Sequence, residues 1–207
     1  WRSLNAEFLK KRGLPIPEEI RGRELITHSA AAARLYLEKF DLGMTFHEII
    51  REMEEDMRPL YLGVIKPKPG ALALIRALKA AGLRLCVATL TPQSVAEEAL
   101  RHNGILDQFE FVVCGNDTGL KKSDPEFFRA VAGRMNLRPG DCVVFEDAVY
   151  AMRGARAAGC AVVAVDDAAN EPDAAEIREI SDLYVADYNL FTPETFMRLD
   201  RAMPQQV

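Results

Sequence analysis

No uninterrupted apolar run of about eighteen residues, the length a membrane-crossing helix needs, occurs in the 207-residue chain. Cysteine is scarce: four residues, at positions 86, 114, 142 and 160, none of them in a C-x-x-C pair. Each sits within or beside a short apolar run. That placement points to small buried hydrophobes in a reducing cytoplasm, not to disulfides or a zinc site. A basic excess is lacking too, since 26 Lys and Arg face 31 Asp and Glu for a net charge of −5. Neither a nucleic-acid footprint nor a polybasic membrane patch is therefore expected. No G-x-G-x-x-G follows an apolar run, which argues against a dinucleotide-binding dehydrogenase. The chain also opens on Trp1, not Met, with no basic-then-apolar leader; the expectation is that sequence upstream has been lost by excision or incomplete coverage.

What is present is enough apolar sequence, about half of the residues, for one domain or one domain with a smaller insert. Up to about residue 60 every pattern is helical. Trp1, Leu4, Phe8 and Leu9 recur at helical spacing until Gly13, Pro15 and Pro17. An alanine-rich stretch, His28 to Phe40, follows. Thr45-Phe46-His47-Glu48 is a capping box opening a helix whose Ile49, Ile50, Met53 and Met57 share a face, and the acidic "REMEED" reads as its solvated side. "KPKPG", Lys66 to Gly70, then punctuates the chain like a linker.

Beyond it the period changes. Leu83–Ala88, Phe109–Cys114, Cys142–Phe145 and Cys160–Val165 are apolar runs too short for helices, and Leu183–Val185 reads as an edge strand. Helices start between them at Thr91-Pro92 and Asp124-Pro125, another spans Ala148 to Ala158 and closes at Gly159, and Thr192-Pro193 opens a last one. This alternation predicts an α/β fold, a doubly wound parallel sheet with helices on both faces. The division is a small all-helical domain over residues 1–65 and an α/β core over 66–207.

Ligands in open parallel sheets bind beyond the carboxyl ends of the strands. The first strand ends at Thr89-Leu90-Thr91. The second is followed by Gly115-Asn116-Asp117, read as a turn, and then by Lys121 and Lys122. The third ends at Glu146-Asp147. Taken singly these are ordinary: a threonine finishing a strand, a solvated lysine, an aspartate as N-cap with a glutamate favoured by the helix dipole. Together they supply a hydroxyl and an ammonium for a phosphate and two vicinal acids for a divalent cation, the parts phosphoryl transfer needs. Successive strand side chains alternate between faces, so Asp147 is expected closest to the Mg²⁺, with Glu146 acting directly or through water.

The segment Leu83 to Asp167 resembles the haloacid dehalogenase superfamily, in particular its β-phosphoglucomutase-like branch (subfamily IA), which carries a helical cap. "LCVATLTPQS" is similar to that family's second motif, which implies phosphoryl binding by Thr89 with the Leu90 N–H nearby. "KKSDPEFF" is similar to the third, usually Lys-Pro-x-Pro-Asp-x-Phe; it implies Lys122, with Ser123 in place of the proline and Lys121 the weaker candidate. "VVFEDAVYAMRGARAAG" is similar to the fourth, implying Glu146 and Asp147 for Mg²⁺. The helices before Lys66 resemble the family's cap, where Arg23 and His28 are possible substrate contacts.

One departure matters. The family's first motif, Asp-x-Asp-Gly-Thr or Val, supplies the nucleophile and the general acid/base, and it is absent; neither "CGNDTG" nor "VAVDDAAN" matches. The family places that first strand between the strands ending at Thr89 and Glu146, and removing it would strand two rows of backbone groups. The displayed chain is therefore expected to be the tail of a longer polypeptide whose Asp pair lies upstream. The resemblance implies a cytoplasmic, Mg²⁺-dependent phosphatase of a small phosphorylated metabolite such as a sugar phosphate, a monomer or weak homo-oligomer without nucleic-acid or membrane partners. A phosphomutase, or a nucleophile-less protein that only binds phosphorylated ligands, are the alternatives. A signalling receiver fits poorly, because receivers are about half this length and place their acids first.

Overall fold

The computed structural model describes residues 2–21 and 29–202. Through the first half run α1 (Arg2–Lys10), α2 (Glu18–Arg21), α3 (Ser29–Lys39), α4 (Phe46–Pro59, continued by a π-helical turn, Leu60–Val64), α5 (Ala71–Ala80), β1 (Val87–Thr89) and α6 (Gln93–His102). The second half adds β2 (Val112–Cys114), α7 (Gly115–Thr118), α8 (Pro125–Arg134), β3 (Val143–Glu146), α9 (Val149–Ala158), β4 (Ala161–Val165), α10 (Ala174–Ile180), β5 (Leu183–Val185) and α11 (Pro193–Ala202). The chain forms two compact units. One is Trp1–Lys66 with Leu90–Asn103; the other is Pro67–Thr89 with Gly104–Val207.

The first unit is helical. α4 starts where the sequence places it: the Thr45 hydroxyl accepts from the Glu48 N–H at 3.3 Å, and the Glu48 carboxylate accepts from the Thr45 N–H at 2.7 Å. Those two bonds satisfy donors that a helix start otherwise leaves orphaned. Ile49, Met53 and Met57 then turn inward, one helical turn apart, to join Phe8, Leu9, Ala32 and Tyr36 in a single core. Val95 of α6 is buried in the same cluster, so this helix, assigned from sequence to the α/β part, packs with the helical unit. Phe8 stacks on Tyr36 with centroids 5.3 Å apart, and the Arg12 guanidinium lies 3.9 Å from the Phe8 ring. Phe8→Ala is expected to destabilise this unit by about 3–5 kcal/mol, read as a lower urea midpoint.

The second unit holds all five strands found among the described residues, every pairing parallel. β1 pairs β2 with Thr89 opposite Cys114, while β3, β4 and β5 form a second sheet with Glu146 opposite Ala164 and Val165 opposite Val185. Continuous apolar runs buried on both faces are what parallel strands require. On one side Val162 and Ala164 of β4 pack with Phe127, Phe128, Met152 and Ala155 of α8 and α9. On the other, Val163 packs with Leu74 and Leu78 of α5 and with Phe191. Alternate residues of one strand thus face helices on opposite sides, the doubly wound arrangement.

Among the described residues neither β1 nor β3 has a second strand partner. Between their open edges lies a cavity of about 660 Å³, bounded by Leu85, Cys86 and Ala88 on one side and Val144, Phe145 and Glu146 on the other. None of the four cysteines is in a disulfide, and Cys114 and Cys160 are buried; burial raises Cys160 to about 12 and Cys86 to about 11, which keeps both as thiols at neutral pH. Among the described residues no helix is long and apolar enough to cross a membrane.

Candidate active site

The carboxyl end of β3 gathers most of the chemistry. Glu146, its last residue, is 9% exposed. One carboxylate oxygen pairs with the Lys122 ammonium, and the other accepts the N–H groups of Asp147 and Ala148, each at 3.1 Å. Burial by itself would raise this carboxyl, but Lys122 and the N–H donors outweigh it and hold it below the usual range. The ordinary alternative for Asp147, the N-cap of α9, does not hold: the N-cap is Ala148, whose side chain makes no capping bond, and Glu146 accepts the first N–H groups instead.

Asp147 is thereby released from a capping role. Its Oδ2 accepts from the Asn170 amide at 2.9 Å. Burial, then the neighbouring Glu146 and Asp167 charges, push it up to about 6. Among the described residues this carboxylate has no cationic side chain paired with it, and it stands next to one that has already taken an ammonium. Burial, and after it the charges of Asp147 and Glu146, push the Tyr188 hydroxyl up to about 12.

Lys122 reaches Glu146 because of the chain around it. The Asp124 side chain accepts the Glu126 N–H at 3.0 Å and Pro125 opens α8, which fixes the turn that precedes the helix. From the other side α9 presses Gly154 against that turn so closely that a Cβ there would overlap the Lys122 carbonyl. Gly154→Ala is expected to displace this turn and cost about 1–3 kcal/mol through overpacking, measured by thermal melting. Lys121 is exposed, whereas the Lys122 side chain is 11% exposed.

The other sequence candidates are placed differently. Thr89 ends β1, in the two-stranded sheet, whereas Glu146 belongs to the three-stranded one. Leu90 follows in the chain but groups with the first unit. Gly115-Asn116-Asp117, read from sequence as a turn, belongs to one turn of helix, Gly115–Thr118, stopped at Gly119 with φ of 70°. Arg23 and His28 lie outside the described residues. What sequence reasoning missed follows β4: Asp167, whose carboxylate meets Lys68 at 2.8 Å and is lowered by it, and Asn170. The strand-end rule already applied to three strands, extended to β4, points to both.

Among the described residues no three His, Cys, Asp or Glu side chains converge closely enough to cage a metal. Mg²⁺ needs no such cage, since it is commonly held by one or two carboxylates and keeps several waters. Asp147, buried among like charges and, among the described residues, opposed by no side-chain cation, has the chemistry of such a ligand, with Glu146 adjacent.

The family described as haloacid dehalogenase-like hydrolase matches residues 3–159. The phosphorylated carbohydrates phosphatase of Thermotoga maritima is 26% identical over 147 residues, 71% of this chain and 68% of that protein. The fructose-1-phosphate phosphatase of Escherichia coli is 35% identical over 141 residues, 67% of this chain and 72% of that one. Among solved structures, β-phosphoglucomutase of Clostridium difficile shares the fold with a TM-score of 0.69 at 19% identity, covering 97% of this chain and 91% of that one. With that family matched over residues 3–159, this chain belongs to the haloacid dehalogenase-like hydrolases.

Proposed function

We propose that the protein is a Mg²⁺-dependent phosphatase of a small phosphorylated metabolite, such as a sugar phosphate. The observation that carries this reading is the joint placement of Lys122, Glu146 and Asp147 at the end of β3. An ammonium there offers a counter-charge to a phosphoryl group, and the acid pair offers a site for the cation. When bound, Mg²⁺ would offset the negative charge of the phosphoryl oxygens. Thr89 and the Leu90 N–H are assigned to phosphate binding, Lys122 to stabilising the oxygens, and Asp147 with Glu146 to the metal. The nucleophile, an Asp that forms an aspartyl phosphate, is assigned to a strand lying between β1 and β3. The apolar cavity between those open edges supports this placement, because unpaired buried backbone groups are costly and a strand there would satisfy two ladders at once. Fructose 1-phosphate and other phosphorylated sugars are the first substrates to try, since relatives are phosphatases of such compounds.

The test is phosphate release from a panel of sugar and nucleoside monophosphates by the full-length gene product, with Mg²⁺ or with a chelator. Release that the chelator abolishes supports the reading. No release from any ester, with ligand still raising the melting temperature, marks a binding protein instead.

A further inference from the structure

We propose that Asn170 is a positioning residue for Asp147, and that Lys68, from the linker-like "KPKPG", holds Asn170 in place. The inference rests on the proposed role of Asp147 at the cation.

Asn170 sits in a 3₁₀ turn, Ala168–Asp173, that follows β4. The turn is fixed at its start by Asp167, whose Oδ1 accepts the Ala169 N–H at 2.9 Å while its carbonyl accepts the Asn170 N–H at 2.9 Å. Lys68 holds that start from outside. Its ammonium donates to the Asp167 Oδ2 at 2.8 Å and to the Asp166 carbonyl at 2.7 Å. The sheet anchors the same point, through the Asp166 N–H on the Val185 carbonyl at 3.0 Å and through the Tyr184 hydroxyl, which donates to the Asp166 carboxylate. From this anchored turn Asn170 reaches back to a single oxygen of Asp147.

The chemistry of the donor decides what this does. An arginine or lysine in its place would neutralise Asp147 and compete with a cation. An amide holds Oδ2 with a directional bond and adds no net charge, so the carboxylate keeps its affinity for a divalent ion while its rotation is restricted. Groups that orient a ligand in this way typically change metal affinity by about 10–100-fold. Lys68 is 41% exposed at its side chain, and an exposed ion pair contributes little to stability. Its effect is therefore expected on the geometry of the turn and not on folding.

The experiment is Mn²⁺ binding to the full-length gene product, followed by electron paramagnetic resonance of the free ion, for Asn170→Ala, Asn170→Asp, Lys68→Met, Lys68→Arg and the double variant Lys68→Met/Asn170→Ala. Asn170→Ala is expected to weaken Mn²⁺ about tenfold or more with an unchanged melting temperature of the metal-free protein. Lys68→Met should give a smaller loss, and Lys68→Arg, which can make both bonds, should restore wild-type affinity. The double variant should bind no worse than Asn170→Ala, because Lys68 acts through Asn170. Asn170→Asp separates orientation from added charge: its third carboxylate should not restore the affinity if the amide bond is what counts. Asp147→Asn is the control for the underlying reading. If it abolishes binding while Asn170→Ala and Lys68→Met bind as wild type, the positioning role is wrong and the cation site stands. If Asp147→Asn itself binds Mn²⁺ normally, the cation reading fails first.

Discussion

Lys122→Ala is expected to slow phosphate-ester turnover by the full-length gene product about a hundredfold or more, the usual loss when one electrostatic stabiliser is removed. The expectation comes from burial as much as from charge. An ammonium with 11% side-chain exposure faces little competition from water, so it acts at close to full strength on a phosphoryl oxygen. The same change strips Glu146 of its counter-charge. A carboxylate 9% exposed and left alone costs about 3–5 kcal/mol, so this variant should also melt earlier. The double variant Lys122→Met/Glu146→Gln separates the two effects. With both charges removed, most of the stability should return while the rate stays low. Lys121→Ala, on an exposed side chain, should change the rate by no more than about twofold; a large loss there with little at Lys122 would move the site to the neighbouring lysine.

Asp147→Asn should remove most Mg²⁺-dependent turnover and, in the absence of metal, leave the protein as stable or more stable. The sign follows from its surroundings. Burial and two nearby carboxylates raise this side chain to about 6, so at neutral pH its charge is maintained against the fold. A group whose ionised form is disfavoured in the folded state stabilises the protein when that charge is deleted, a trade common at functional sites. Melting curves with and without Mg²⁺ check both halves. The variant should start at or above the wild-type midpoint and lose the rise that Mg²⁺ gives the parent. Wild-type turnover in this variant would contradict the metal assignment.

The strands were legible because their apolar runs are uninterrupted in sequence, β2 and β4 being buried at every position. Val143–Glu146 and Ala161–Val165 fall where the apolar runs predict, with Glu146 at the strand's end. β1 is shorter than its run and ends one residue beyond it, at Val87–Thr89 against Leu83–Ala88, and among the described residues it is paired on one edge only. The capping box of α4 was legible for a local reason, since both of its bonds lie within four residues. The grouping of α6 was not, because amphipathic spacing tells which face is apolar and not which neighbour covers it. At the site, the pairing of Lys122 with Glu146 depends on Gly154 allowing two segments to approach, and nothing local to "KKSDPEFF" encodes that. The Asn170 contact was hidden for a similar reason: residues 23 positions apart meet only once β4 has formed between them.

The most direct test of the account is a crystal structure of the full-length gene product with Mg²⁺ and a phosphate analogue. The account predicts the Lys122 Nζ within hydrogen-bonding distance of a phosphate oxygen and Asp147 on the cation at about 2.1 Å. A phosphate analogue bound elsewhere, with Lys122 still closed on Glu146 and no cation on Asp147, would contradict it.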